Sequence, residues 1–341
     1  MKVILIVIAI VLVVIAIDER LEKSHLQRLR KTPIKWDERS VAVGKERAAE
    51  SRINFCFLAR DCEASVRANK QVLEKWGNLF KDYRVVAFEN DSKDNTRQVL
   101  KDWAKSNPKV HLIGCTEDGE CSLQHKHTYE IGQFSKKRIE RMGAYRERYL
   151  DYLRELDEPF ELTMVIDIDL NIASTMIEGL LSALAIPHDW DAIFHNGRIS
   201  VPGTFGMATC PYDGLAFEEI GYEKSKIPKV VQAMKTKAKM YSTYNQDEKF
   251  VPVKSAFNGL ALYKTDKMLK GTYKNDGQPF CEHCVLHDSM DNKYASREWL
   301  GYYANTSGPF LNQFKEMVVA TSLIKARSAS RAISKPQNIA F

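Results

Sequence analysis

The sequence predicts an α/β domain with a mainly parallel central sheet and helices on both of its faces. Three observations predict it. Short, nearly continuous apolar runs alternate with longer segments whose apolar residues recur at helical spacing. The runs are too apolar for strands with one wet face, as expected when both faces are covered. The 341 residues are 44% apolar and 28% charged, which supplies a sizeable core and excludes disordered, collagen-like and multi-span membrane chains.

In chain order, Ile53 to Ala59 reads as the first strand, and 62–80, with Val66, Leu73, Trp76, Leu79 and Phe80 at helical spacing, as the first helix. Tyr83 to Phe88 is a second strand, 95–106 a helix, Val110 to Ile113 a third strand and about 136–156 a long helix. Leu162 to Ile168 is a fourth strand, and Ala192 to Phe194 and Gly259 to Tyr263 read as further ones. Residues 200–250 mix Gly, Pro, Tyr and Lys without a clean period and read as an insertion or acceptor-side segment. In such a sheet ligands bind beyond the carboxyl ends of the strands, so the polar residues that follow each strand are the candidates for function.

Val3 to Ile17 is an unbroken apolar run with no Gly, Pro or charge. It is shorter than a full span of roughly 20 residues, and no small-residue cleavage site follows it. The expectation is an uncleaved single-pass anchor over 1–17 holding the protein to a membrane, its side left open between cytosol and Golgi or ER lumen. Residues 18–51, rich in Lys, Arg, Glu and Ala with Pro33, read as a stalk or linker. The catalytic domain is then expected over 52–320 and a tail over 321–341. Of the sequons at Asn90 and Asn305, modification at Asn305 requires a lumenal face, while Asn90 sits in the loop that closes the second strand.

Lys plus Arg exceed Asp plus Glu by 50 − 44 = 6, so charge does not call for a nucleic-acid partner. The seven Cys are too few and scattered for a disulfide scaffold. There is no Walker-type loop, no G-x-G-x-x-G and no G-x-S-x-G, which disfavours dinucleotide enzymes and α/β hydrolases.

The strongest chemical feature is Asp167-Ile168-Asp169 at the end of an apolar strand, where a period of two puts both carboxylates on one face. Hard cations such as Mn2+ or Mg2+ take one or two carboxylates plus phosphate oxygens, so the pair suits a metal-bound diphosphate; a solvated strand end is the plain alternative. Glu89 and Asp91, in the loop FENDSKDNT, are ligand candidates for a ribose or base, whereas Asp94 and Asn95 are equally suited to capping the next helix. Arg60 and Asp61 follow the first strand at the same edge, with a surface ion pair as the alternative. Arg138 and Arg141, one turn apart on the long helix, are candidates to neutralise diphosphate oxygens or to form a solvated face.

Cys281, Glu282, His283, Cys284 and His287 form a late cluster, read either as the start of a structural zinc site or as a base and a further metal ligand arriving beside the Asp pair. Cys115, Cys121, His125 and His127 read as structural or as a loop disulfide, and the basic stretch 224–239 as a solvated helix or as a face for a membrane surface or an anionic acceptor.

The blocks FLARDCE (57–63), FENDSKDNT (88–96), MVIDIDL (164–170), WDAIFHNG (190–197), SAFNGLALYK (255–264) and CEHCVLH (281–287), with the Arg-rich helix, resemble GT-A type glycosyltransferases over most of 53–288. Within that superfamily they look most like the branch near fungal capsule-associated and Golgi mannosyltransferases. The resemblance implies a Rossmann-like GT-A fold and transfer of a sugar from a nucleotide diphosphate donor, GDP-mannose or a UDP-sugar, to a glycan or glycoconjugate hydroxyl. It implies Asp167 and Asp169 as the Mn2+- or Mg2+-binding D-x-D, with Asp169 also counted in the catalytic machinery. By the same likeness Arg60, Glu89 and Asp91 form the nucleotide edge, His283 or His287 a late metal ligand, and Glu282 the acid–base group. Trp190, Asn196, Tyr212, Asp213 and Asn258 are then candidates to line the sugar or acceptor pocket. Rival readings are a sugar-phosphate nucleotidyltransferase, which lacks its early glycine-rich loop here, a metal phosphoesterase, and a catalytically silent sugar-binding subunit of a membrane complex.

Overall fold

The computed structural model of the chain describes residues 20–21, 24–29, 31, 36–114, 136–175, 177–203, 206–221, 243–244, 247–274 and 281–303. The chain divides into two compact units: Met1–Arg28 with Ser200–Ala208 and Ala304–Phe341, and Leu29–Ile199 with Thr209–Tyr303. In the first, His25 Nδ1 and Ser200 Oγ lie 2.8 Å apart. The second holds the core and every described candidate residue.

The elements of the chain are α1 (Glu38–Glu50), β1 (Arg52–Ala59), α2 (Glu63–Gly77), β2 (Asp82–Glu89), α3 (Thr96–Ser106), β3 (Val110–Gly114), α4 (Lys136–Arg154), β4 (Leu162–Asp167), α5 (Ile177–Leu184), β5 (Ala192–Gly203), β6 (Gly206–Pro211), β7 (Phe250–Pro252), β8 (Leu260–Lys264), α6 (Thr265–Met268), α7 (Glu282–His287) and β9 (Lys293–Tyr303). The strands order as β3-β2-β1-β4-β8-β5-β9-β7, with β6 pairing β5 off this path. From β3 to β4 all pairs are parallel, as predicted. Beyond β4 the sheet is mixed: β8 runs antiparallel to β4 and β5, β5 and β9 are parallel, and β7 is antiparallel to β9. The expectation of a mainly parallel sheet thus holds for its first half.

Both sheet faces are covered because successive strand residues are buried on alternate sides. Cys56, Val86 and Val165 join Tyr149, Leu150 and Leu153 of α4 in one cluster. On the other side Phe57 stacks on Trp103 of α3, ring centroids 6.5 Å apart.

Helix α1 falls in the segment 18–51 expected to be a linker. It packs on α5 through Gly44 and Ala48, residues too small to register as an apolar stripe. A Cβ on Gly44 would stand 1.8 Å from Leu181 O, and Arg47 Nη1 donates to Leu184 O and Ile186 O at the end of α5. Strands β6, β7 and β9 were not legible in the sequence, and β5 runs well past the expected 192–194.

Among the described residues no helix is long and apolar enough to cross a membrane, which corrects the expected localisation as a single-pass membrane protein. The apolar run 3–17, the loop 115–135, the basic stretch 224–239, Asn305 and the tail 321–341 lie outside the described residues.

Candidate active site

Strands β1 to β3 run outward from the centre, and the chain then returns to place β4 on the other side of β1. The carboxyl edge at β1 and β4 is therefore a topological switch point, where crossovers diverge and leave a crevice. Leu58 pairs with Asp167 and Ala59 with Glu89, so the residues that follow β1, β2 and β4 reach one edge together.

Two loops interlock there. Asp61 and Asp91 both have left-handed backbones, φ +47° and +49°. Lys93 N donates to Asp61 Oδ1 (2.6 Å), and Asp61 N to Ser92 Oγ (3.2 Å). Asp94 takes Thr96 N on one oxygen and Glu63 N on the other, satisfying first-turn donors of α3 and α2 at once. Glu89, expected to face the nucleotide, is instead spent inside the loop: its oxygens accept from Ser92 N (2.9 Å) and Arg97 Nε (2.5 Å), and its side chain is 3% exposed. Asp61 is likewise committed to its neighbouring loop. Arg60 pairs with Asp61 at 3.6 Å, the ion pair weighed from the sequence, and together with half-buried Asp91 it stands next to Tyr145 of α4 as a ligand candidate of this edge. Burial raises the Tyr145 phenol, Asp91 adds to this, and Arg60 and Arg141 oppose it, which groups these four side chains. Tyr145 packs on Phe88, centroids 5.4 Å apart, and its OH accepts from Asn90 Nδ2.

The acidic pair is fixed from behind. Asn69 of α2 donates to Ile168 O (2.8 Å) and Leu170 O (2.7 Å), and Ser65 Oγ to Asp169 O (3.2 Å). Asp167 N donates to Gly259 O at 2.9 Å. Preceding Gly259, Asn258 adopts φ +60°, a conformation Asn tolerates better than most residues. Its Oδ1 accepts from Tyr212 N (2.8 Å) and Asp213 N (2.9 Å). Fully buried Asn258 thus does not line a pocket, as the sequence reading had it. It clamps the turn that carries Tyr212 and Asp213 to the turn that holds Asp167.

At the centre lies Arg146 of α4, 5% exposed. Its Nη2 donates to Asp167 Oδ1 (3.2 Å) and its Nε to Glu282 Oε1 (3.1 Å). Its Nη1 has no hydrogen-bond partner among the described residues. One guanidinium serves several acids, and the carboxyls respond. Burial lifts Asp167 to about 7; Asp169 and Asp213 push it the same way, and Arg146 opposes them. Burial also raises Asp169, against Arg146 and Arg138. Asp213 is raised by burial and by Glu282, although its Oδ1 accepts from Leu215 N and Ala216 N. The Tyr212 phenol is held well above its ordinary range by burial and then by Asp167, Asp169 and Asp213, so it faces the same cluster.

Several expected site residues are placed elsewhere. Trp190 precedes β5, whose Ala192 pairs Tyr263 opposite Thr163 at the start of β4. It therefore lies at the amino edge of the sheet, under Lys264 Nζ, away from the acids. Asn196 is a sheet brace, donating to Arg297 O and accepting from Arg198 Nε. His287 is a satisfied core histidine with Ser255 Oγ on Nδ1 and Tyr263 OH on Nε2, both at 2.8 Å. His283 stacks on Phe257, centroids 3.8 Å apart, with neither ring nitrogen hydrogen-bonded. Burial, followed by Arg146 and His287, depresses its pKa well below the usual value. Among the described residues no group of three or more His, Cys, Asp or Glu side chains could hold a metal ion. The structure therefore gathers neither a histidine ligand beside the Asp pair nor the zinc site considered for Cys281 and Cys284, which are buried free thiols.

The donor set still fits a hard divalent cation of the Mn2+ or Mg2+ kind. Asp167 and Asp169 offer carboxylate oxygens, and beside them Asp213 adds a further negative charge that the Arg146 guanidinium only partly meets. Such ions are commonly held by one or two carboxylates, with phosphate oxygens and water completing the shell. Sequence spacing had singled out Arg138 and Arg141; Arg146, two turns further along the same helix, is the residue inside the cluster, and only the tertiary fold distinguishes it.

No family model matches the chain, and no curated protein matches it. Among solved structures, the mannosyltransferase PcManGT from Pyrobaculum calidifontis in complex with GDP-Man and Mn2+ is 13% identical, with a TM-score of 0.41, over 86% of this chain and 67% of that one. S. aureus TarS 1-349 in complex with UDP is 12% identical, with a TM-score of 0.42, over 78% and 63%. S. aureus TarS is 11% identical, with a TM-score of 0.43, over 78% and 38%, so the chain spans less than two thirds of either TarS structure. At these levels of likeness, what this chain does is read from its own residues.

Proposed function

We propose that the protein is a metal-dependent glycosyltransferase that moves a sugar from a nucleotide diphosphate donor to a hydroxyl of a glycan or glycoconjugate. The observation that carries this reading is the acidic pair Asp167 and Asp169 at the switch point, surrounded by further acids and one buried arginine. A divalent ion bound there supplies charge stabilisation for the leaving diphosphate. Arg60, Asp91, Arg141 and Tyr145 border the nucleotide side of the crevice, and Arg138 adds positive charge near Asp169. The likeness of the END-S loop and the late Cys-Glu-His block to the fungal capsule-associated branch makes GDP-mannose the first donor to test, beside UDP-sugars.

The chain's own acid–base group is read differently from the sequence expectation. Glu282 is buried and held by Arg146 Nε and the Cys281 thiol, and serves as an anchor. Asp213 is half-buried, its Oδ2 takes no part in its hydrogen bonds to Leu215 N and Ala216 N, and its carboxyl, raised by burial and by Glu282, is a stronger proton acceptor for an acceptor hydroxyl than an ordinary carboxylate. Asp213→Asn is expected to lower kcat by about 10²–10⁴-fold while donor affinity stays within about threefold. Equal activity of the variant would remove Asp213 from the mechanism.

Titration calorimetry of GDP and UDP with Mn2+ tests the binding half of the reading. Affinity is expected in the full chain and lost in an Asp167→Ala, Asp169→Ala variant. Binding by both proteins alike contradicts it. Donor binding without turnover favours the alternative of a silent nucleotide-binding subunit, for which the internal pairing of Glu282 is the supporting observation.

A further inference from the structure

Arg146 holds two carboxylates through one edge of its guanidinium, Nη2 on Asp167 and Nε on Glu282. It is 5% exposed, so neither contact is a screened surface pair. Asp169, Asp213 and the Tyr212 hydroxyl complete the surroundings, and Arg146 is the cation that enters the balance of Asp167, Asp169 and Asp213 alike. The Asp167 carboxylate is therefore claimed twice: by Nη2 through Oδ1, and by any divalent ion held at the Asp pair. Two positive groups on one carboxylate repel each other. Glu282 provides the second station, because Nε is already on it and the fork need only give up Nη2.

We propose that Arg146 is an internal counter-ion that competes with the divalent cation for Asp167 and withdraws to Glu282 when the cation binds. The inference rests on the metal-dependent reading above and makes Arg146 a positioning residue with an unusual signature. A residue that merely supported the fold would weaken metal binding when removed. A competitor strengthens it, because the fraction of protein with Asp167 available rises.

The test is Mn2+ binding by the full chain, followed by the electron paramagnetic resonance of the free ion at about pH 8, with circular dichroism to show that each variant is folded. Arg146→Gln is expected to lower the Mn2+ dissociation constant about tenfold. Glu282→Gln is expected to raise it, by sending the fork wholly to Asp167, and to have much less effect in an Arg146→Gln background. Should Arg146→Gln alone fail to fold, the Arg146→Gln, Glu282→Gln protein carries the same comparison, with the cation and its second station removed together. Mn2+ binding no tighter than wild type in the folded variant overturns the inference. An Asp167→Ala, Asp169→Ala control separates the two readings. If wild type binds Mn2+ no better than this control while Arg146→Gln binds, the metal-dependent reading fails and the competition stands; if neither binds, both fall.

Discussion

At the scale of single residues the account turns on Asp167. Its carboxyl is raised to about 7 by burial, with Asp169 and Asp213 adding to the shift. Metal binding requires the ionised form, so Mn2+ affinity and kcat/KM are expected to climb with pH through about 7; a flat profile from about pH 5.5 to 8 contradicts this. The stability consequence has the opposite sense. A folded pKa above the unfolded value near 3.9 stabilises below the unfolded value, and that contribution is lost as pH rises through about 7. Asp167→Asn in metal-free buffer is therefore expected to melt a few degrees higher than wild type above about pH 7, with the difference gone below about pH 4. Equal melting across that range would show that Asp167 is not held in a raised state. The Asp pair itself is legible in the sequence, since two carboxylates closing an apolar strand are costly without a purpose. Which arginine, histidine and asparagine act with it is not: Arg138 and Arg146 look alike on a helix, and His283 and His287 differ only in what the fold brings to their ring nitrogens.

At the scale of elements, α4 links the core to the site. Its Tyr149, Leu150 and Leu153 pack on the sheet while Arg146 enters the acidic cluster. Gly143 lets the 272–273 segment approach, since a Cβ there would stand 2.3 Å from Tyr273 O, and Glu147 Oε2 accepts from Tyr273 N and Thr272 Oγ1. Gly143→Ala gains about 1 kcal/mol of helix propensity but forces backbone apart at a cost of about 1–3 kcal/mol. The net expectation is a lower urea midpoint; a raised midpoint would mean that the segment moves freely. Strands β1 to β4 were readable because buried parallel strands are continuous apolar runs. Helix α1 was not, because its contact face is Gly44 and Ala48, and β9 was not, because Lys293, Arg297 and Glu298 interrupt its apolar pattern.

At the scale of the whole molecule, three buried histidines set the acid limit. Burial is the leading cause that lowers His195 to about 3 and depresses His283 and His287 well below 6.5. These groups stay neutral in the fold and charge on unfolding, so stability falls as pH drops below about 6.5, by about 1.4 kcal/mol per pH unit for each histidine fully titrating. The melting temperature is expected to decline steeply between about pH 6.5 and 5, and a plateau there would contradict the neutral core. The crevice at the β1–β4 edge, its acids and their single buried arginine form one electrostatic unit, and its proposed purpose is to bind a nucleotide diphosphate sugar through a divalent ion. The most direct test is turnover of a panel of GDP- and UDP-sugars by the full chain with and without Mn2+, alongside the Asp167→Ala, Asp169→Ala variant. The account predicts that at least one donor is consumed, that consumption requires Mn2+, and that the variant is inactive while folded; turnover that survives in the variant, or in the absence of any divalent ion, would contradict it.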